Sequence, residues 1–415
     1  MRDKLQQKNI QNIFWFSVMF FLCCYFAMVF DLANRITILV GSIICLLIIK
    51  KQKRFRLDLN TCLLIITIGS YYLIVHGTRA FTMSLPYVGI LLYVIGNYLS
   101  SEVKQKDNYE KIYLLLLFML IVGHTIHGVL NSFLFLDGQF YQDDFRVWMD
   151  IWMQITLPGT QQVVYFLPAL AMVFPAIAYF KNRKVFSIVM LVSAAFFIYI
   201  SMASQTRTSV LILPLVFTAQ FVLYIILEWK NVKRLLSCKE TKIVLGIVVL
   251  VLLVAVFLLR KHPLVSSFLS IMGRDGGILN NIRFKLQRAA LEQLPLYPFG
   301  GDQMDFMGYP YAHNAWLDMA NEAGWIPFGA YVVYTIHVIY ELIRWLIKKD
   351  VSTERKLILA GIFGAFFLYY MVERAFDSSL HFMTPWHFMN GLVHGEVAKR
   401  EKSYNLESEE KYEKD

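Results

Sequence analysis

Guanidinium groups, an imidazole and several carboxylates are concentrated in one polar interval, residues 260–322. Its first half carries Arg260, Lys261, Arg274, Arg283, Lys285 and Arg288 against only Asp275 and Glu292. Its second half is acidic, with Asp302, Asp305, Asp318 and Glu322, and holds His313. A neutral linker would not need this segregation; an anionic substrate held by arginines beside a proton-transfer group would. The guanidinium fork donates two parallel hydrogen bonds and keeps its charge, which suits a diphosphate. Imidazole accepts a hydroxyl proton near neutral pH. His313, in YPYAHNAWLDMANEAGW, is therefore the candidate general base. Asn314 beside it either positions substrate or caps the next helix, and Glu322 anchors the turn.

Other polar residues have competing readings. Arg207, in SMASQTRTSVLIL, sits at the end of an apolar segment. At the bilayer centre an arginine costs about 2.5–3.5 kcal/mol on insertion scales, so one near a span is a functional candidate. The alternative is an arginine snorkelling to lipid phosphate. Arg283 and Arg288 lie five apart on a helical stretch, roughly 140° around its axis, and need not share a face. Either they bind an anion, with Arg274 upstream, or they line a solvated or headgroup-facing surface. Glu373, next to Arg374, is placed to form an ion pair at the end of a span. His124 and His127, spaced HTIH, could ligate a metal from one helical face, but no third ligand accompanies them and packing explains them as well. His381, His387 and His394 read the same way. No DxD-type metal site or nucleotide-binding glycine loop is apparent, so neither metal nor cofactor is expected.

The elements that must position these groups are membrane spans. The chain is 57% hydrophobic, 15% aromatic and only 17% charged, a composition of polytopic membrane proteins. The formal charge of +10 comes with no nucleic-acid motif and marks cytoplasmic loops instead. The five cysteines give no disulfide framework. Apolar segments predict spans at 13–30, 36–49, 62–75, 85–99, 111–130, 163–180, 185–202, 209–227, 243–259, 324–346, 357–372 and 380–397. The first reads as a retained signal-anchor. Clusters such as KKQKRFR and KNVKRLLSCKETK fall on one side when both termini are cytoplasmic, and the opposite orientation inverts the rule.

The expected fold class is thus all-α: a polytopic membrane protein of about 12 transmembrane helices with a long extracytoplasmic loop containing short amphipathic helices. Residues 1–259 hold the first nine spans, 260–323 the Arg/His loop, 324–397 the last three, and 398–415 a disordered cytoplasmic tail. An outer loop at 131–162 mixes Asp137, Asp143, Asp144 and Asp150 with aromatic residues. It reads as an interfacial helix or as a sugar-binding lip. Residues 281–294 predict a short amphipathic helix ended by Pro295, Pro298, Gly300 and Gly301, with a helix restarting near Ala312.

Three stretches together resemble the bacterial superfamily of O-antigen polymerases (Wzy-type) and O-antigen ligases. They are TRTS around Arg207, IRFKLQRAALEQLPLYPFGGD, and AHNAWLDMANEAGWIPFGA, in that order. The resemblance implies a multi-pass protein of the bacterial plasma membrane with an extracytoplasmic active site. It implies that Arg207 and Arg283 hold the diphosphate of an undecaprenyl-diphosphate-linked oligosaccharide and that His313 activates an acceptor hydroxyl. It also implies a flippase and a chain-length regulator as partners. Gln287 stands where the family often has tryptophan, and DQMDFMGYPY after the glycine turn is a departure. Ligation of a finished glycan to another acceptor is the nearest rival reading. Transport of lipid-linked oligosaccharide is a more distant one, since few charges lie within the spans and no internal repeat is evident.

Overall fold

The computed structural model describes residues 17–27, 43, 57–77, 87–103, 109–136, 147–152, 156–204, 206–230, 232–233, 281–373 and 383–397. The expected spans at 36–49 (Ile43 apart) and 243–259, together with the tail after residue 397, lie outside the described residues. The chain divides into two compact units. Unit 1 comprises Met1–His127, Lys285–Val351 and Tyr370–Asp415; unit 2 comprises Gly128–Phe284 and Ser352–Tyr369.

The described chain is mostly helical. In order come α1 (Ser17–Phe26), α2 (Leu59–His76), α3 (Tyr87–Val103), α4 (Tyr109–Leu136), β1 (Val147–Met149), β2 (Thr156–Pro158), α5 (Gly159–Gln162), a 3-10 turn (Val163–Tyr165), α6 (Leu167–Ala171), α7 (Val173–Ala178), α8 (Lys184–Ala203), α9 (Thr208–Leu227), α10 (Ile282–Gln293), α11 (Ala315–Ala323), α12 (Trp325–Leu346), α13 (Thr353–Tyr370) and α14 (residues 383–397). Five of them, α2, α4, α8, α9 and α12, are long and apolar enough to cross a membrane, and α1 and α3 are shorter apolar helices. That is the architecture of an all-α membrane protein.

In unit 1, α12 lies along α2, and α11 packs against both. The pattern of α12 is inverted relative to a water-soluble helix. It buries Tyr331, Tyr334, Thr335, Glu341 and Trp345 while exposing Ile326, Val333, Ile336, Ile343 and Ile347. An aliphatic row at spacings of three, four and seven residues on the outside suits lipid, not water. The buried side carries a polar network. Asp58 caps α2, accepting from the Thr61 amide at 2.8 Å, and also accepts from the Tyr93 hydroxyl at 3.0 Å. Glu341 accepts from Asn60 at 2.9 Å and pairs with His394 Nδ1 at 2.6 Å. His337 bonds Asn60 Oδ1 at 2.8 Å. Buried groups of this kind are tolerated because each finds partners.

α3 and α14 meet through glycine. A Cβ on Gly391 would stand 2.1 Å from the Tyr93 carbonyl oxygen, and one on Gly395 2.4 Å from that of Asn97. Gly391 and Gly395 form the small-xxx-small spacing that lets membrane helices approach closely. His387, on the same helix, is buried and bonds the Tyr334 hydroxyl at 3.0 Å.

Two expectations for unit 2 need correction. The span expected at 163–180 is not one helix: residues 159–178 form α5, the 3-10 turn, α6 and α7 in succession. Pro168 and Pro175 each remove an amide donor from the ladder. The break survives because Gln162 to Met172 are buried, and irregular backbone at membrane depth is tolerated where protein encloses it. In the outer loop, residues 147–149 and 156–158 pair as the antiparallel strands β1 and β2, where an interfacial helix was one of the two readings. Trp148 stacks on Phe135 at 4.5 Å. Asp150 is fully buried, accepting from Asn131 at 3.2 Å and from the Trp152 amide at 3.0 Å. Buried side-chain acceptors and a stacked indole favour the hairpin over helix propensity. Asp137, Asp143 and Asp144 lie outside the described residues.

Candidate active site

The His313 segment is built by local chemistry first. Asn314 is the N-cap of α11, its side chain accepting from the amides of Trp316 and Leu317 at 3.1 Å each. This satisfies two donors that a helix start leaves open. Asp318, one turn on, reaches back and accepts from the Ala312 amide at 2.6 Å and the Asn314 amide at 3.0 Å. Held on both sides, His313 takes a left-handed backbone conformation, φ 57°, which costs a non-glycine residue roughly 1–3 kcal/mol. Its carbonyl accepts from Gln287 Nε2 at 3.2 Å, and the same amide bonds the Met371 carbonyl at 2.8 Å. Asn314 Nδ2 bonds Met371 as well, at 3.3 Å. The loop is clamped to α10 and to the chain just past α13.

The ring itself is little exposed, 18% of its side chain. Tyr311 lies edge-on to it at 4.6 Å. Among the described residues Nδ1 has no hydrogen-bond partner, and the nearest carboxylate oxygen, Glu373 Oε2, stands 3.7 Å away. Glu373 is buried. A buried carboxylate on the Nδ1 side would orient the ring and leave Nε2 for a substrate proton, and such contacts tighten when substrate binds. Arg374, expected beside Glu373 as an ion pair, lies outside the described residues.

Behind the histidine, the glycine turn is locked to the α11–α12 junction. Gly300 (φ 71°) and Gly324 (φ 79°) face one another so closely that a Cβ on Gly300 would lie 2.5 Å from the Gly324 nitrogen. Only glycine fits such positions. The Trp325 amide donates to the Pro298 carbonyl at 2.9 Å and the Gly301 amide to that of Glu322 at 3.0 Å. Glu322 accepts from the Tyr71 hydroxyl on α2, which is the anchoring role expected of it. The acidic half of the interval is thus largely bracing.

The arginines divide between the units. Arg207 and Arg283 belong to unit 2, whereas Arg288, His313, Asn314 and Glu373 belong to unit 1. Arg207 is half-buried and occupies the N-cap position of α9. The turn before it is knit by hydroxyls: Ser204 with Thr206 at 3.0 Å, Ser209 with Ser201, and Thr206 to the Ser201 carbonyl at 3.2 Å. The positive end of a helix dipole and a guanidinium both favour an anion. Arg283 is half-buried in the first turn of α10, its amide bonded to Asn281 at 3.0 Å. Arg288 is different: 82% exposed, with Nε on Glu292 at 2.9 Å. Arg274 lies outside the described residues.

Among the described residues, the histidines expected as weak metal candidates have structural partners. His124 Nδ1 bonds the Leu120 carbonyl at 3.2 Å and His127 Nδ1 that of Ala27 at 2.9 Å. Among the described residues no three His, Cys, Asp or Glu side chains are grouped to hold a metal ion. His381 lies outside the described residues. Gln287 and Asp318 were not singled out as functional from the sequence. Asp318 had a signal, an acidic residue in the first turn after a capping asparagine. Gln287 had none, because its partners lie 26 and 84 residues away. Compared with models of protein families and with curated proteins, the chain matches none.

Proposed function

We propose that the chain is a polysaccharide polymerase that joins undecaprenyl-diphosphate-linked oligosaccharide repeat units at the outer face of the bacterial plasma membrane. The observation that carries this reading is His313: an imidazole in a left-handed turn, clamped through its backbone, with Nδ1 turned toward a buried carboxylate. Strained backbone positions of this kind cluster at functional sites. With both termini cytoplasmic, the α11–α12 junction and the His313 loop lie on the outer side.

The reaction is displacement at an anomeric carbon. A hydroxyl of the acceptor repeat unit attacks that carbon, and the bond to the diphosphate oxygen breaks with its electron pair leaving on the diphosphate. His313 takes the hydroxyl proton. Arg207, at the positive end of α9, and Arg283 stabilise the departing charge. A single displacement inverts the anomeric centre. Ligation to another acceptor uses the same groups. Transport fits less well, since residues 163–178, the buried broken segment, contain no charged side chain.

The test is His313→Ala. Removing a general base is expected to slow chain extension by about 10²–10⁴-fold. Single repeat units on lipid should accumulate while the protein remains at normal levels in the membrane. Polymer of wild-type length and amount would dismiss the assignment.

A further inference from the structure

The turn between α10 and α11 exposes apolar side chains that water does not favour. Phe299 is 87% exposed, Leu296 68% and Ile326 66%, with Trp325 beside them at 48%. They form one patch: Trp325 Nε1 donates to the Leu294 carbonyl at 2.9 Å, and its amide to that of Pro298 at 2.9 Å. Both stretches, LPLYPFG (294–300) and WIPF (325–328), are free of charge. The patch also continues the outward row of α12 formed by Val333, Ile336, Ile343 and Ile347, the face of a helix long and apolar enough to span the bilayer.

We infer that Leu296, Phe299 and Ile326 are seated in the acyl-chain region of the bilayer leaflet at the Trp325 end of α12, with Trp325 at its margin. The occupant of this surface is lipid. Continuity with the α12 row fixes its depth, and an aromatic belt residue marks the margin. Uncharged, contiguous apolar surface marks an interaction site. The anchor also has a mechanical consequence. Gly300 and Gly324 weld the turn to the end of α11, and the nine residues of α11 measure about 13 Å at 1.5 Å per residue. His313, just before the other end of that helix, is thereby held at a set distance from the anchored turn.

Depth measurements test this directly. In the full-length chain with its native cysteines replaced by serine, nitroxides are placed by Phe299→Cys, Ile326→Cys, Ile336→Cys and Gln303→Cys. The protein is reconstituted in nanodiscs of phosphatidylethanolamine and phosphatidylglycerol, and collision with oxygen and with a water-soluble nickel chelate is compared. Labels at 299 and 326 should resemble 336 in favouring oxygen, whereas 303, exposed on the polar side of the turn, should favour nickel. Should Phe299→Cys not accumulate, Leu296→Cys takes its place. Nickel access at 299 equal to that at 303 overturns the inference. Exclusion of both reagents at 299 does so too, because it would assign the patch to a partner protein or a second copy.

Discussion

His313 pays for its position in backbone strain, and Asp318, Gln287 and Asn314 offset that strain. The carboxylate of Asp318 accepts from the amides on either side of the histidine, and hydrogen bonds to charged groups contribute about 1.5–3 kcal/mol each. Asp318→Asn has one acceptor oxygen where two are used. Activity is expected to fall, and hydrogen exchange at the Ala312 and Asn314 amides to accelerate, with melting of the whole chain little changed. Unchanged exchange at those amides would show that other contacts hold the loop. At this scale the sequence was legible where partners are close: Asn314 before a helix, followed by an acid in its first turn. Glu373 and Gln287 were not legible as neighbours of His313, because 60 and 26 residues of chain separate them.

Among the elements, helix pairing depends on contacts that hydropathy does not register. Gly391 and Gly395 admit the α3 backbone, and a methyl group at 391 would meet the Tyr93 carbonyl oxygen at 2.1 Å. Gly391→Ala should destabilise the protein by about 1–3 kcal/mol, the usual range for overpacking, seen as a lower midpoint in thermal unfolding in nanodiscs. No change in midpoint would contradict the close approach. Hydropathy did locate α2, α4, α8, α9 and α12, whose apolar runs are long. It misread 163–180 as one continuous span, since a run of apolar residues looks alike whether it forms one helix or several enclosed turns. Pro168 and Pro175 were the available signal.

For the molecule as a whole, the proposed chemistry calls on guanidinium groups to stabilise the departing diphosphate. Arg283 and Arg288 then separate experimentally. Arg283→Lys should reduce polymer yield at equal protein level, because an ammonium cannot reproduce the bidentate fork. Arg288→Ala should leave yield close to wild type, since that side chain is exposed and paired with Glu292, and exposed pairs of this kind contribute about 0.2–1 kcal/mol. Full yield from Arg283→Lys would assign that arginine to lipid headgroups. Product length separates polymerisation from ligation: loss of a polymerase leaves single repeats, and loss of a ligase leaves polymer unattached.

The sequence by itself determined the membrane class, the long apolar helices, and the polar interval that concentrates arginine, histidine and a proline–glycine turn. These are properties of composition and local spacing, which act along the chain. The tertiary structure alone decided that β1 and β2 pair in the outer loop, that Asp318 braces the histidine loop, and that Glu373 meets His313. Each of those depends on which side chains packing brings within a few ångströms, and a buried polar group takes whichever partner the fold delivers.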